Sequence, residues 1–82
     1  MKSYEEILNE LFDLIRPMVP NAKELSPEME LVDNLGLDSM KVMNLLQEIE
    51  DQFDVSIPLN VLPDVRTVGD LAQKIHQILE SE

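Results

Sequence analysis

Residues 31–53 read LVDNLGLDSMKVMNLLQEIEDQF, and the fold follows from how this stretch is parsed. Its second half is periodic. Val42, Leu45, Leu46, Ile49 and Phe53 fall at i, i+3, i+4, i+7 and i+11, one stripe of a helix predicted from about Ser39 to Gln52. Met40, Met43, Asn44, Gln47, Asp51 and Asp54 lie on or beside the opposite face. The first half closes in a turn, where Gly36 offers a backbone free to reverse just ahead of the helix. At the junction stands a single serine, Ser39, flanked by Asp38 and Met40.

Upstream, Ser3 followed three positions later by Glu6 has the form of a capping box. Tyr4, Ile7, Leu8, Leu11, Ile15 and Met18 then recur at helical spacing, with Phe12 alongside, until Pro17 and Pro20 stop the helix. The connection from about Pro17 to Asp38 is long, and such loops in compact domains are often functional. Leu25, Met29, Leu31, Val32, Leu35 and Leu37 are expected to pin it to the core.

Downstream, VSIPLNVLPDV at 55–65 carries two prolines, leaving a turn or two of helix between Leu59 and Leu62. Val55 and Ile57 would suit a strand, but no second strand exists to pair with it. Thr67 is placed to cap a last helix, with Asp70 in its first turn and Val68, Leu71, Ala72, Ile75, Ile78 and Leu79 on its apolar face. The fold class read here is all-α: a small four-helix bundle of three longer helices and one short one, with a long first loop. Residues 1–82 form one domain.

Composition narrows the function. With 82 residues, the core is thin and a deep enclosed active site has little room. The absence of cysteine removes disulfides, thiolate chemistry and sulfur-ligated zinc. The opening MKSYEEILNELF lacks the basic start and apolar stretch of a secretory signal, and no apolar run approaches the roughly 20 residues that cross a bilayer. The chain reads as cytoplasmic, monomeric and without a membrane partner. Seventeen acids against six bases give a net charge of −11, which repels nucleic acid and attracts basic protein surfaces.

Ser39 is poorly equipped as a nucleophile. It needs a base, yet the only histidine is His76 on the last helix, and Lys41 is two residues along a helix, a spacing that does not face it. The string G-L-D-S-M is not a G-x-S-x-G elbow. A calcium loop also fails. With Gly36 in the sixth position the first ligand falls on Leu31, so no metal is expected. Two roles remain. Ser39 can cap the helix, or its exposed hydroxyl can carry a phosphodiester at the positive end of the helix dipole.

The stretch DNLGLDSMKVMNLLQEIEDQFDVSIP resembles the phosphopantetheine attachment region of acyl carrier proteins. The matching residues are Leu35, Gly36, Asp38, Ser39, Met40, Leu45, Ile49, Phe53, Ile57 and Pro58, and VRTVGDLAQKI looks like that family's final helix. The resemblance implies a carrier, not an enzyme. A phosphopantetheinyl transferase would move 4'-phosphopantetheine from coenzyme A onto Ser39, with Asp38 and Met40 serving in recognition. Acyl groups would travel as thioesters between enzymes of fatty-acid, polyketide or related biosynthesis. Met40, Met43, Gln47, Glu50 and Asp51 would meet acyl-loading and acyl-processing partners with basic docking surfaces. Leu45, Leu46, Ile49, Phe53, Val61, Leu62, Val65 and Leu71 would line the space between helices, as core and as room for part of an acyl chain. Lys41, Asn44 and the apolar LNVLPDV depart from the commoner fatty-acid carriers, which fits an aminoacyl, peptidyl or aryl carrier of a dedicated secondary pathway. An unmodified helical interaction module is the alternative from a different class.

Overall fold

None of the three apolar stripes can be buried alone, so the helices must cover one another. A computed structural model describes residues 2–20 and 24–81. Helix α1 spans Tyr4–Ile15, α2 spans Ser39–Phe53 and α3 spans Val68–Ser81. A 3-10 turn at Arg16–Met18 extends α1, and a 3-10 helix at Leu59–Asp64 occupies the place of the short fourth helix. Pro63 lies inside this last element and withholds a backbone donor, which explains a single tight stretch in place of an α-helix. No strand occurs among the described residues. The architecture is the all-helical small bundle that the periodicity predicts.

Helix α1 packs on both α2 and α3, most extensively on α3. Ile7, Leu11 and Ile15 from α1, Leu45 and Ile49 from α2, and Val68, Leu71, Ala72 and Ile75 from α3 are buried at its centre. Helices α1 and α3 begin with the chemistry their sequence announces. Ser3 and Glu6 form the reciprocal capping box of α1. At α3, the Asp70 backbone N–H donates to Thr67 Oγ1 at 3.0 Å, while Thr67 N–H donates to Asp70 Oδ2 at 3.1 Å.

The long loop is anchored twice. Leu31, Leu35 and Leu37 are buried, and Gly36 takes a left-handed φ of +69° that turns the chain between the last two. Val32, expected to help pin the loop, instead points outward with 62 % of its surface exposed. The second anchor is backbone pairing with the start of α3. Leu31 N–H donates to Arg66 O at 3.0 Å, Val68 N–H to Met29 O at 3.0 Å and Gly69 N–H to Pro27 O at 2.8 Å. Glycine at 69 permits the last approach, because a Cβ there would stand 3.1 Å from the Pro27 carbonyl oxygen.

Helix α2 ends abruptly. Asp54 adopts the left-handed conformation (φ 55°, ψ 50°), its N–H bonding to Glu50 O. The Glu50 carboxylate then accepts the Ile57 N–H at 3.0 Å. Together they turn the chain so that Val55 and Ile57 enter the core. Glu50→Ala therefore leaves a partly buried donor unpaired and should cost about 1–3 kcal/mol in urea unfolding. Glu50→Gln, which keeps an acceptor, should recover most of the loss; equal losses in both variants would remove this role.

The backbone N–H groups of Thr67 and then Arg66 hold the Asp70 carboxyl below the usual carboxylate range. A lowered folded-state pKa stabilises the fold above the unfolded value, and that contribution disappears as pH falls through the folded one. Asp70→Asn should therefore lower Tm at neutral pH, and the gap to the parent should close as the pH drops below about 4. A gap independent of pH would mean that the charge contributes nothing beyond hydrogen bonding.

Candidate functional site

The start of α2 is built by Asp38, not by Ser39. Asp38 is extended (φ −88°, ψ 178°) and its Oδ1 accepts the Lys41 backbone N–H at 2.9 Å. Of the two roles open to Ser39, capping is thus taken by its neighbour. An aspartate one residue earlier takes the orphan donor, and Ser39 becomes the first helical residue. Ser39 is exposed, and its hydroxyl enters none of the side-chain hydrogen bonds found among the described residues. A hydroxyl freed from capping and open to solvent suits a pendant group attached through an ester bond.

Beside it lies a mostly apolar cleft of about 380 Å³. One wall is α2, through Ser39, Val42 and Met43; the other runs from Glu30 to Asp33, and Leu62, Val65 and Arg66 complete the lining. Val42, read from the sequence as part of the buried stripe, is only partly buried because it faces this cleft. Of the expected inter-helix lining, Leu45, Leu46, Ile49, Phe53 and Leu71 belong to the closed core. Leu62 and Val65 reach the cleft, and the side chain of Val61 lies outside the described residues.

Sequence reasoning missed the polar rim. Arg66 Nε donates to Glu30 Oε1 at 2.7 Å, tying the long loop to the segment before α3. The guanidinium holds the Glu30 carboxyl below its ordinary range, and Glu30 in turn raises Arg66. Nothing local announces this pair, since its members are 36 residues apart. Only the backbone pairing of the loop with residues 66–69 brings them together.

The outer face of α2 carries the residues expected to dock. Met40 is 74 % exposed and Met43 48 % exposed, and Gln47 and Asp51 are exposed on the same helix. Glu50 is placed differently. It is partly buried, with its carboxylate on the Ile57 N–H. His76 is not near any such arrangement; its Nδ1 lies 2.6 Å from Glu80 Oε1 one turn along α3. Among the described residues no cluster of histidine and carboxylate groups could hold a metal, and no helix is long and apolar enough to cross a membrane.

This geometry has relatives. The family profile described as "Phosphopantetheine attachment site" matches residues 7–75. A Caulobacter vibrioides protein named "Probable acyl carrier protein" is 42 % identical over 57 residues, covering 70 % of this chain and 66 % of that one. The "Meromycolate extension acyl carrier protein" of Mycolicibacterium aurum is 33 % identical over 79 residues, covering 95 % of this chain and 81 % of that one. The crystal structure of an acyl carrier protein from Thermotoga maritima has the same fold, with a TM-score of 0.79 at 22 % identity, covering 95 % of this chain and 92 % of the other. A profile match across most of the chain, a relative alignable nearly end to end, and a free hydroxyl at the head of α2 agree: the chain belongs to the phosphopantetheine-attachment family of acyl carrier proteins, which carry acyl groups on covalently bound 4'-phosphopantetheine.

Proposed function

We propose that residues 1–82 act as one cytoplasmic carrier unit whose arm is attached at Ser39, and that it shuttles acyl groups between the enzymes of a dedicated biosynthetic pathway. The observation that carries the reading is the exposed, unbonded hydroxyl at the first residue of α2, with Asp38 already occupied in capping. When attached, 4'-phosphopantetheine supplies the thiol that holds the cargo in thioester linkage. The protein's own part is presentation. The helix fixes the direction in which the arm leaves, its N-terminal dipole favours the phosphodiester, and the adjacent cleft offers apolar surface to part of an acyl chain. The absence of cysteine fits this division of labour, since the sulfur arrives with the group.

Fatty-acid and polyketide pathways are both served by such carriers. The mycobacterial relative's name refers to meromycolate extension. Lys41 and Asn44 on α2 favour a specialised acyl, aminoacyl or aryl cargo over the common fatty-acid role. Partners are then a phosphopantetheinyl transferase, with Asp38 and Met40 at its contact, and loading and processing enzymes that meet Met43, Gln47 and Asp51. Glu50 serves that face mainly by holding the end of α2.

Coenzyme A and a phosphopantetheinyl transferase should add one phosphopantetheine by intact mass, and Ser39→Ala should add none while keeping its helical circular dichroism. Labelling that survives in Ser39→Ala removes Ser39 as the site. An unmodifiable parent makes the chain an interaction module instead.

The exposed methionines give a second expectation. Met40→Glu or Met43→Glu should lower transfer with a partner enzyme by roughly tenfold, because a carboxylate desolvated without a partner costs about 1–3 kcal/mol. Thermal unfolding should be unchanged. Unfolded variants would assign the methionines to the core, and parent-like transfer would move docking off α2.

A further inference from the structure

Arg66 is held at several points although it is exposed. Its backbone N–H donates to Asp70 Oδ2 at 3.2 Å, and its carbonyl accepts the Leu31 N–H at 3.0 Å. Its Nε donates to Glu30 Oε1 at 2.7 Å. An exposed ion pair returns little for the side-chain entropy spent in holding it. What the anchoring does achieve is direction. A guanidinium is a planar fork of N–H donors, and with Nε committed to Glu30 that plane is set. The N–H groups of its two terminal nitrogens enter no hydrogen bond found among the described residues. Arg66 lines the cleft beside Ser39 and is the only cation among the described residues that do so. The rest of the lining limits what can use these donors. Val42, Met43, Leu62 and Val65 make the interior apolar, so an occupant has a hydrocarbon part. The cleft holds about 380 Å³, and Leu45, Leu46 and Ile49 are closed core, so that part is short. Glu30 and Asp33 both stand at this rim against one guanidinium, which disfavours an anion. The acceptor that remains is a neutral oxygen.

We infer that Arg66 selects the cargo: the cleft takes a short acyl group with a neutral oxygen close to the thioester, as in a 3-oxoacyl chain, in preference to a fully reduced chain or one that ends in a carboxylate. The terminal guanidinium N–H groups donate to that oxygen while the chain lies on Val42, Leu62 and Val65. Glu30 is the positioning residue that aims the fork. A saturated chain enters the same cleft but leaves those donors to water. A carboxylate meets Glu30 and Asp33 at the rim, so selection acts by repulsion as well as by pairing. This inference rests on the carrier reading above and adds to it the chemical class of the cargo.

The test loads the full chain at Ser39 with butyryl-, 3-oxobutyryl- or malonyl-phosphopantetheine. Hydrolysis of each thioester is compared with that of the same thioester on free pantetheine, which gives a protection factor for each cargo. In the parent, 3-oxobutyryl should be protected about threefold or more beyond butyryl, the scale of one exposed charge-assisted hydrogen bond, and malonyl should not exceed butyryl. Methyl signals of Val42, Leu62 and Val65 should shift on loading with 3-oxobutyryl, which locates the cargo. Arg66→Gln should abolish the advantage of 3-oxobutyryl and leave the protection of butyryl unchanged. Arg66→Lys, which keeps the charge toward Glu30 but not the fork, should abolish it as well with Tm retained, and it decides the matter if Arg66→Gln does not fold. An advantage that survives in Arg66→Lys overturns the inference. So does equal protection of butyryl and 3-oxobutyryl in the parent, or malonyl protected best. Equal loss for all three cargoes in Arg66→Lys makes Arg66 only a wall of the cleft, which overturns it too. A parent that accepts no phosphopantetheine fails the carrier reading first, and this inference falls with it.

Discussion

Everything around Ser39 depends on one piece of backbone pairing, the hydrogen bonds that join residues 27–31 to residues 66–69. Loop backbone that crosses a protein surface needs partners for its N–H and C=O groups. Here the start of α3 provides them, and Gly69 lets the two chains approach closely enough to form them. The pairing converts a long connection into a wall. It brings Glu30 to Arg66, carries Leu31, Leu35 and Leu37 into the core, and sets the segment from Glu30 to Asp33 opposite α2. Without it the cleft would have one side.

The site is then shaped by a division of labour between neighbouring residues. Asp38 binds the orphan N–H of Lys41 and leaves the Ser39 hydroxyl outside the side-chain hydrogen bonds found among the described residues. Glu50 closes the far end of α2 by binding Ile57, so the helix is fastened at both ends by carboxylates. Between these points the inner stripe is fully engaged and the outer stripe is bare. Two exposed methionines on that bare stripe are flexible and polarizable, a character suited to surfaces that must fit more than one partner.

The three longer helices, their caps at Ser3 and Thr67, and the apolar stripes were legible because each depends on residues a few positions apart. The exposed place of Ser39 at the head of α2 was legible for the same reason, as part of a local pattern. The reading stayed open where a local rule had two candidates. Serine and aspartate both cap well, and only geometry shows that Asp38 takes the role. It failed where distant segments meet. Val32 and Val42 look like core residues in sequence, yet they face a cleft that exists only once the loop is paired to α3. Glu50 looked like a surface acid because its acceptor role depends on the left-handed turn at Asp54, which helical periodicity does not encode.

The two stripes of α2 also differ in how freely they can change. Leu45, Leu46, Ile49 and Phe53 face the core, and Asp38 and Glu50 secure the ends, so these positions are bound to the fold. Met40, Lys41, Met43, Asn44, Gln47, Glu48 and Asp51 are exposed, and their side chains enter none of the hydrogen bonds or ion pairs found among the described residues. The helix is therefore a fixed spine with a freely variable outer face. An outer face transplanted from another carrier leaves the scaffold standing, provided that the graft leaves the carboxylate at position 50 alone.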